Sequence, residues 1–234
     1  MNYEIKQIAH IENDFQTKFG IPRQAGIADS IQSRIVFEPE YRNPDALRGI
    51  ESFSHLWLIW QFSENVRENW SPTVRPPRLG GNVRMGVFAT RSPFRPNAIG
   101  LSCVRLIGKE HTDVFGEVLV VAGADLMNGT PIFDIKPYIP YADCRQEASE
   151  GFAPEPVDSL EVQFAPGTEE LVPVEKLEGL TKILSGDPRP RYQNDKNRVY
   201  GMEFAGMEIR FSVEGKILTV REIADKLRIK QPLL

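Results

Sequence analysis

The chain has 234 residues, of which 41% are hydrophobic and 26% charged, with 28 Lys and Arg against 32 Asp and Glu. That composition suits a globular protein with one large or two small cores. A net charge of −4 excludes a generally basic nucleic-acid binder, so any nucleic-acid surface has to be local. Two cysteines, Cys103 and Cys144, are too few for a disulfide framework. The start MNYEIKQIAH has no apolar h-region, and the longest apolar run, Leu56 to Trp60, is too short to span a bilayer. The expectation is a cytoplasmic protein without a membrane segment.

In chain order, Tyr3 to Ile11 reads as a first strand and residues 19–26 as a turn-rich loop. Ile27 to Phe37 reads as a second strand with Ile31, Ile35 and Phe37 on one face. Asn43 caps a short helix, Pro44 suits its first turn, and Gly49 ends it. Phe53 to Phe62 is the most apolar segment and predicts a strand buried on both faces, with His55, Trp57 and Trp60 as core residues. Met85 to Thr90 and Leu101 to Ile107 read as buried strands, and a hairpin is expected to turn around Gly108 to His111. Strands follow at His111 to Val121 and Pro131 to Ile139. Short strands between Gly/Pro turns argue for a closed sheet. Residues 142–156 are polar and end in two prolines, as a linker would. Val157 to Phe164 predicts a strand and Thr168 to Leu184 a helix. Residues 198–204, 207–213 and 216–220 predict three more strands, the last two joined at Glu214-Gly215.

The most informative stretch is Arg67 to Leu106. It holds seven arginines (67, 75, 78, 84, 91, 95, 105), no lysine, and one acid, Glu68, a local net of +6 within an acidic chain. Arginine binds phosphate as a planar fork and stacks on bases, so an arginine-only patch points to oriented anion or nucleic-acid contacts. Pro76, Pro77, Pro93 and Pro96 restrain its turns. Arg75, Arg78, Arg84 and Arg95 are therefore expected to track an RNA backbone. Phe88 and Phe94 are both able to stack on a base. Phe94, beside two prolines and an arginine, is the better candidate, and core filling is the default for Phe88.

Several chemistries are absent. There is no G-x-G-x-x-G, no P-loop, no G-x-S-x-G elbow, and no zinc-deaminase motif. The three histidines and two cysteines have no metal spacing.

The run GVFATRSPFRPNAIGLS (86–102) resembles the hallmark motif of the TrmO family, also called YaeB or TsaA-like proteins. The likeness extends to PRQAG (22–26), GIESFSHLWLI (49–59), RPPRLGG (75–81), DLMNGTPIFDIKPY (125–138) and DPRPRY (187–192), in that order over nearly the whole chain. It implies an S-adenosylmethionine-dependent tRNA methyltransferase acting on the exocyclic amine of threonylcarbamoyladenosine beside the anticodon. It also implies a homodimer, no metal, and a cofactor site assembled from barrel loops. Onto that site the likeness maps Pro22, Arg23 and Gln24, with Arg23 or Gln24 holding a carboxylate or ribose. It further maps Ser63 and Glu64, then Arg91 and Leu101, and finally Asp125, Leu126, Met127 and Asn128. Methyl transfer from a sulfonium needs alignment, exclusion of water and an acceptor for the amine proton. Asp125, Asp134 and the carbonyl of Asn97 stand as unranked candidates for that acceptor, and Arg91 as a contact to cofactor or acceptor nucleotide. Arg189, Arg191 and Tyr192 on the DPRP loop are placed against RNA or in the active site of a second subunit.

The expected fold is mainly β: a barrel-like closed-sheet domain at 1–145 binding S-adenosylmethionine, then a smaller α+β domain at 146–234. The alternative function is a non-catalytic module that binds S-adenosylmethionine or RNA.

Overall fold

The computed structural model describes residues 3–153, 159–189, 195 and 198–225. Six strands form a closed barrel: β1 (Ala9–Glu12), β2 (Gln32–Phe37), β3 (His55–Gln61), β6 (Ile99–Thr112), β7 (Gly116–Ala122) and β8 (Pro131–Pro137). The ladder runs β1-β2-β7-β6-β3-β8 and closes because β1 also pairs with β8, Ala9 lying opposite Ile132. Every described pair in it is antiparallel. Outside it, β4 (Thr73–Val74) and β5 (Met85–Gly86) form a two-stranded ribbon.

The strand β3 shows why the barrel holds. Leu56, Leu58 and Trp60 are buried while His55, Trp57, Ile59 and Gln61 are half-buried. It thus alternates rather than being buried on both faces, as one wall of a closed sheet must. Trp60 joins the barrel core with Ile11, Ile35, Leu58, Val104, Leu119 and Ile132, whereas Trp57 lies outside that core and donates from Nε1 to Asp143 Oδ2 at 3.1 Å. Gly100, opposite Trp60 in the β3–β6 register, has no room for a side chain: a Cβ there would come within 2.3 Å of the indole.

Other expectations shift at element ends. Strand β6 runs straight through the expected turn at Gly108, where the structure has a bulge, and turns only after Thr112, with Gly116 at φ 68°. A two-residue strand and a 3₁₀ turn, Val87–Ala89, replace the buried strand expected from Met85 to Thr90, and Phe88 is exposed. Asn43 caps as expected, its side chain accepting from Asp45 N, but the turn it starts is a 3₁₀ helix, Pro44–Leu47. The first strand is shorter than expected because only Ala9–Glu12 pairs with β2, and of these only Ala9 and His10 also pair with β8.

The remaining elements are α1 (Pro140–Asp143), β9 (Glu161–Phe164), α2 (Val174–Ser185), β10 (Tyr200–Phe204), β11 (Met207–Glu214) and β12 (Ile217–Asp225). The sheet β10-β11-β12-β9 packs Phe204, Ile209, Phe211, Leu218 and Val220 against Leu180, Ile183 and Leu184 of α2. Phe15, Ala28 and Ile31, from the segment between β1 and β2, complete this second core. Ile31 was expected beside Ile35; instead it packs against α2, where a Cβ on Gly179 would meet its Cγ1 at 2.4 Å. The β1–β2 segment therefore leaves the barrel, anchors on the second core, and returns.

No helix among the described residues is long and apolar enough to cross a membrane.

Candidate functional site

A cavity of about 690 Å³ opens at one end of the barrel, next to the β1–β2 segment. Four stretches far apart in sequence line it: Pro22, Arg23 and Gln24; Phe62, Ser63 and Glu64; Arg91, Asn97 and Leu101; and Asp125 with Met127.

Asp125 sits just after β7 and is the most perturbed acid there. Burial pushes its pKa up, opposed by the hydroxyl of Ser102, its own backbone N–H, the charge of Arg91 and the N–H of Ala25. Ser102 Oγ donates to Asp125 Oδ1 while Trp60 Nε1 donates to Ser102 Oγ at 2.9 Å. The strand pairing that places Leu58 opposite Ser102 thus fixes one carboxylate oxygen through a buried relay.

Arg91 Nη1 donates to Gln24 Oε1, tying the loop after β5 to the β1–β2 segment. That loop is knitted by its own hydroxyls. Thr90 Oγ1 donates to Val87 O at 2.9 Å and accepts from Ser92 N at 3.2 Å, and Arg95 Nη1 donates to Thr90 O at 3.1 Å. On the far wall, Lys18 Nζ donates to Glu64 O at 2.8 Å.

A second, more open groove of about 1330 Å³ adjoins the first and shares Arg23, Gln24, Thr90 and Arg91 with it. Arg67, Arg75 and Arg84 line it, with Phe88, Phe94, Pro76, Pro77 and Pro93; Glu150 is the one acid among its described lining residues.

Residues 10–144 match the tRNA-methyltransferase O N-terminal domain, and residues 158–226 match the TrmO C-terminal domain. The chain belongs to the tRNA-methyltransferase O family. It is 39% identical over 224 residues to the tRNA (adenine(37)-N6)-methyltransferase of Escherichia coli (strain K12), covering 91% of this chain and 94% of that one. A protein of the same name from Eikenella corrodens is 46% identical over 166 residues, 70% of this chain and 92% of its own. The crystal structure of TrmO from Pseudomonas aeruginosa superposes with a TM-score of 0.80 at 30% identity, covering 96% of this chain and 99% of that one.

Within this TrmO-family fold, most of the residues expected at the site converge. Pro22, Arg23, Gln24, Ser63, Glu64, Arg91, Asn97, Leu101, Asp125 and Met127 all line the cavity. Leu126 and Asn128 do not. Leu126 is fully buried in the barrel core, because alternation turns it away from its neighbours. Asn128 braces the backbone, its Oδ1 accepting from Asn13 N at 2.9 Å.

Asp134 also lies elsewhere. It sits on β8 opposite Ile59, pairs with Lys136 at 2.9 Å and accepts from Ile135 N, so its place gives no support to a proton-accepting role. Arg95 lines the first cavity rather than the arginine groove. Phe94 lines the groove, but the Arg67 guanidinium covers its ring at 3.9 Å from the centroid. The side chain of Arg78, and Arg191 and Tyr192 altogether, fall outside the described residues.

Arg189 departs most from expectation. Its guanidinium forks onto Asp187, donating from Nε at 2.8 Å and from Nη2 at 2.9 Å, and it is buried. Arg23 Nη2 in turn donates to the carbonyls of Asp187 and Arg189 at 2.9 and 3.1 Å. Asp187 and Arg189 thus brace the Pro22–Gln24 wall within the same chain, and the Arg189 guanidinium is taken up by Asp187.

Sequence reasoning missed Lys18, Phe62, Thr90, Ile99, Gly100 and Ser102. Thr90, Ile99, Gly100 and Ser102 lie inside the GVFATRSPFRPNAIGLS run and carried a signal; Lys18 and Phe62 reach the site only through the fold. No cluster of three or more His, Cys, Asp or Glu suited to a metal occurs among the described residues.

Proposed function

We infer that this chain is an S-adenosylmethionine-dependent tRNA methyltransferase that modifies the N6 amine of an adenosine. Its acceptor, on this reading, is threonylcarbamoyladenosine beside the anticodon. One observation carries it: a small-molecule cavity with a half-buried carboxylate, Asp125, adjoins an arginine-lined groove, and the two share Arg91 and Gln24.

The residues present fit the donor. The cavity volume lies within the range of small-ligand sites, with apolar walls at Phe62, Ile99 and Leu101 and cations at Arg91 and Arg95. When bound, S-adenosylmethionine supplies a methyl group on a sulfonium, already activated for transfer. The chain's own contribution is position. Arg91 and Gln24 form a ready hydrogen-bonding pair for a carboxylate or ribose at the junction of cavity and groove. Phe62 and Leu101 offer apolar surface to a nucleoside ring and displace water. Asp125, held at Oδ1 by Ser102, is favoured as acceptor of the amine proton over Asp134 and Asn97. It faces the cavity, and its burial makes the ionised carboxylate a stronger base. The arginines of the groove carry the RNA backbone.

The separation into a barrel domain at 1–145 and an α+β domain at 146–234 is part of this reading, supported by the two hydrophobic clusters. The β1–β2 segment belongs to the second core although it lies in the first half of the chain. A homodimer and a cytoplasmic location complete the reading, on the strength of the family resemblance and of tRNA as substrate.

The test is incubation with methyl-labelled donor and tRNA with or without the threonylcarbamoyl group. Label entering only the modified tRNA supports the reading. Label entering unmodified adenosine overturns the acceptor assignment, and no label with either tRNA favours the non-catalytic module.

A further inference from the structure

The β4–β5 ribbon carries different chemistry at its two ends. Its register pairs Thr73 with Gly86 and Val74 with Met85, and Val87 N donates to Pro72 O at 2.9 Å, extending the pairing by one step. Arg75 and Arg84 follow the last pair at one end. Trp70 and Phe88 flank the other, their ring centroids 5.9 Å apart and their planes 26° apart. Trp70 is 49% exposed and Phe88 71% exposed. Neither belongs to either hydrophobic core.

Large aromatic rings kept in water at the rim of a functional groove need a reason, and here the charge beside them supplies it. Phe88 lines the groove with Arg67, Arg75, Arg84 and Arg91, opposed by Glu150 alone among the described lining residues. Such a surface repels basic partners and suits a polyanion that also has flat apolar faces. Of the other described aromatics lining the groove, Phe94 is already covered by Arg67 and Phe152 is half-buried.

We propose that Phe88, backed by Trp70, is the stacking platform for an unpaired base of the RNA substrate, adjacent to the adenosine that enters the donor cavity. A base laid on the open face of Phe88 extends the Phe88–Trp70 stack, while Arg75 and Arg84 meet flanking phosphates. The register of the ribbon keeps the two functions at a constant spacing. The proposal rests on the reading of RNA as substrate.

The test uses the full chain and a fluorescently labelled anticodon stem–loop RNA, with affinity measured by anisotropy without the donor. Base–aromatic stacking corresponds to a loss of about 5- to 150-fold on truncation. Phe88→Ala and Phe88→Leu should both weaken RNA binding within that range, and Phe88→Trp should bind at least as tightly as the original. Donor affinity by calorimetry and the salt dependence of RNA binding should be unchanged, since no cation is removed. Original affinity in Phe88→Ala overturns the proposal. So does original affinity in Phe88→Leu, because a non-planar apolar group then suffices. Loss of RNA binding accompanied by dissociation of a dimer in sedimentation also overturns it, because the pair is then a subunit contact. If the unsubstituted protein neither binds nor methylates tRNA, the functional reading itself fails. Methylation by the original protein with unaltered RNA affinity in Phe88→Ala sinks the platform alone.

Discussion

The barrel-end cavity, proposed to take the donor, and the arginine groove meet at Arg91 yet are built differently. The cavity is walled by loops gathered over the adjoining ends of β3 and β6, and its polar groups already hold one another: Trp60 to Ser102 to Asp125, Arg91 to Gln24, and Arg23 to the carbonyls of Asp187 and Arg189. The groove is walled by turns and a two-residue ribbon, with arginines and an exposed phenylalanine along its sides. A small donor with one reactive methyl rewards preorganisation, because a misplaced group costs rate directly. A long polyanion rewards a charged track that tolerates local movement. The difference predicts that cavity substitutions change turnover steeply and groove substitutions change RNA affinity modestly.

The largest effect is expected at Asp125. On the proposed reading Asp125→Asn removes the base, and general-base contributions are about 10²- to 10⁴-fold, so turnover should fall by that order while donor and RNA affinities change far less. Because burial raises this carboxyl, the acid limb of the original protein's pH–rate profile should lie above the ordinary carboxylate range. Stability carries the matching sign. The native state binds this proton more tightly than the unfolded chain, so stability contributed here is present at low pH and is lost as pH rises through the raised native pKa. Urea unfolding across that window should show the decline in the original protein and a flatter profile in Asp125→Asn. A turnover within twofold of the original would move the proton acceptor to Asn97 or to water.

Arg91 tests the junction itself. Its fork reaches Gln24 and faces both concavities, so Arg91→Lys should be nearly as damaging as Arg91→Ala. Loss of a charge-assisted hydrogen bond costs about 1.5–3 kcal/mol, roughly 10- to 150-fold in kcat/KM. Steady-state kinetics with donor and tRNA varied separately measure this, and near-original activity in the lysine variant would show that charge alone matters.

The smallest effects are expected in the groove. Arg75→Ala and Arg84→Ala should each reduce the magnitude of the slope of log affinity against log salt by about 0.7–0.9, leaving donor affinity unchanged. Titrations at several potassium chloride concentrations decide it. A lost donor affinity with an unchanged slope would erase the distinction between the two concavities.

The sequence by itself determined the arginine-rich, proline-braced stretch and most of the β character. Proline, glycine and arginine spacing in residues 75–106 and the alternating apolar positions of the strands act locally, so they are readable without the fold. The cap at Asn43 and the turn before β12 are local in the same way. Only the tertiary structure decided which polar residues face the cavity. Asp125 and Leu126 are neighbours in one motif, but the closure of the barrel turns one to the cavity and the other into the core. Asp134 and Asp125 look alike in sequence, but Asp134 meets Lys136 two residues along the same strand, while the segment after β7 brings Asp125 to Ser102 of β6. Phe88 looks like core until the ribbon proves too short to bury it. Ile31 continues the alternation of β2, yet it belongs to the other core, because the β1–β2 segment lowers its free energy by burying Phe15, Ala28 and Ile31 against α2 and the second sheet. Pairings across more than a hundred residues, such as Arg23 with the DPRP loop, leave no periodic trace in the chain, since neither partner's local sequence depends on the other's position.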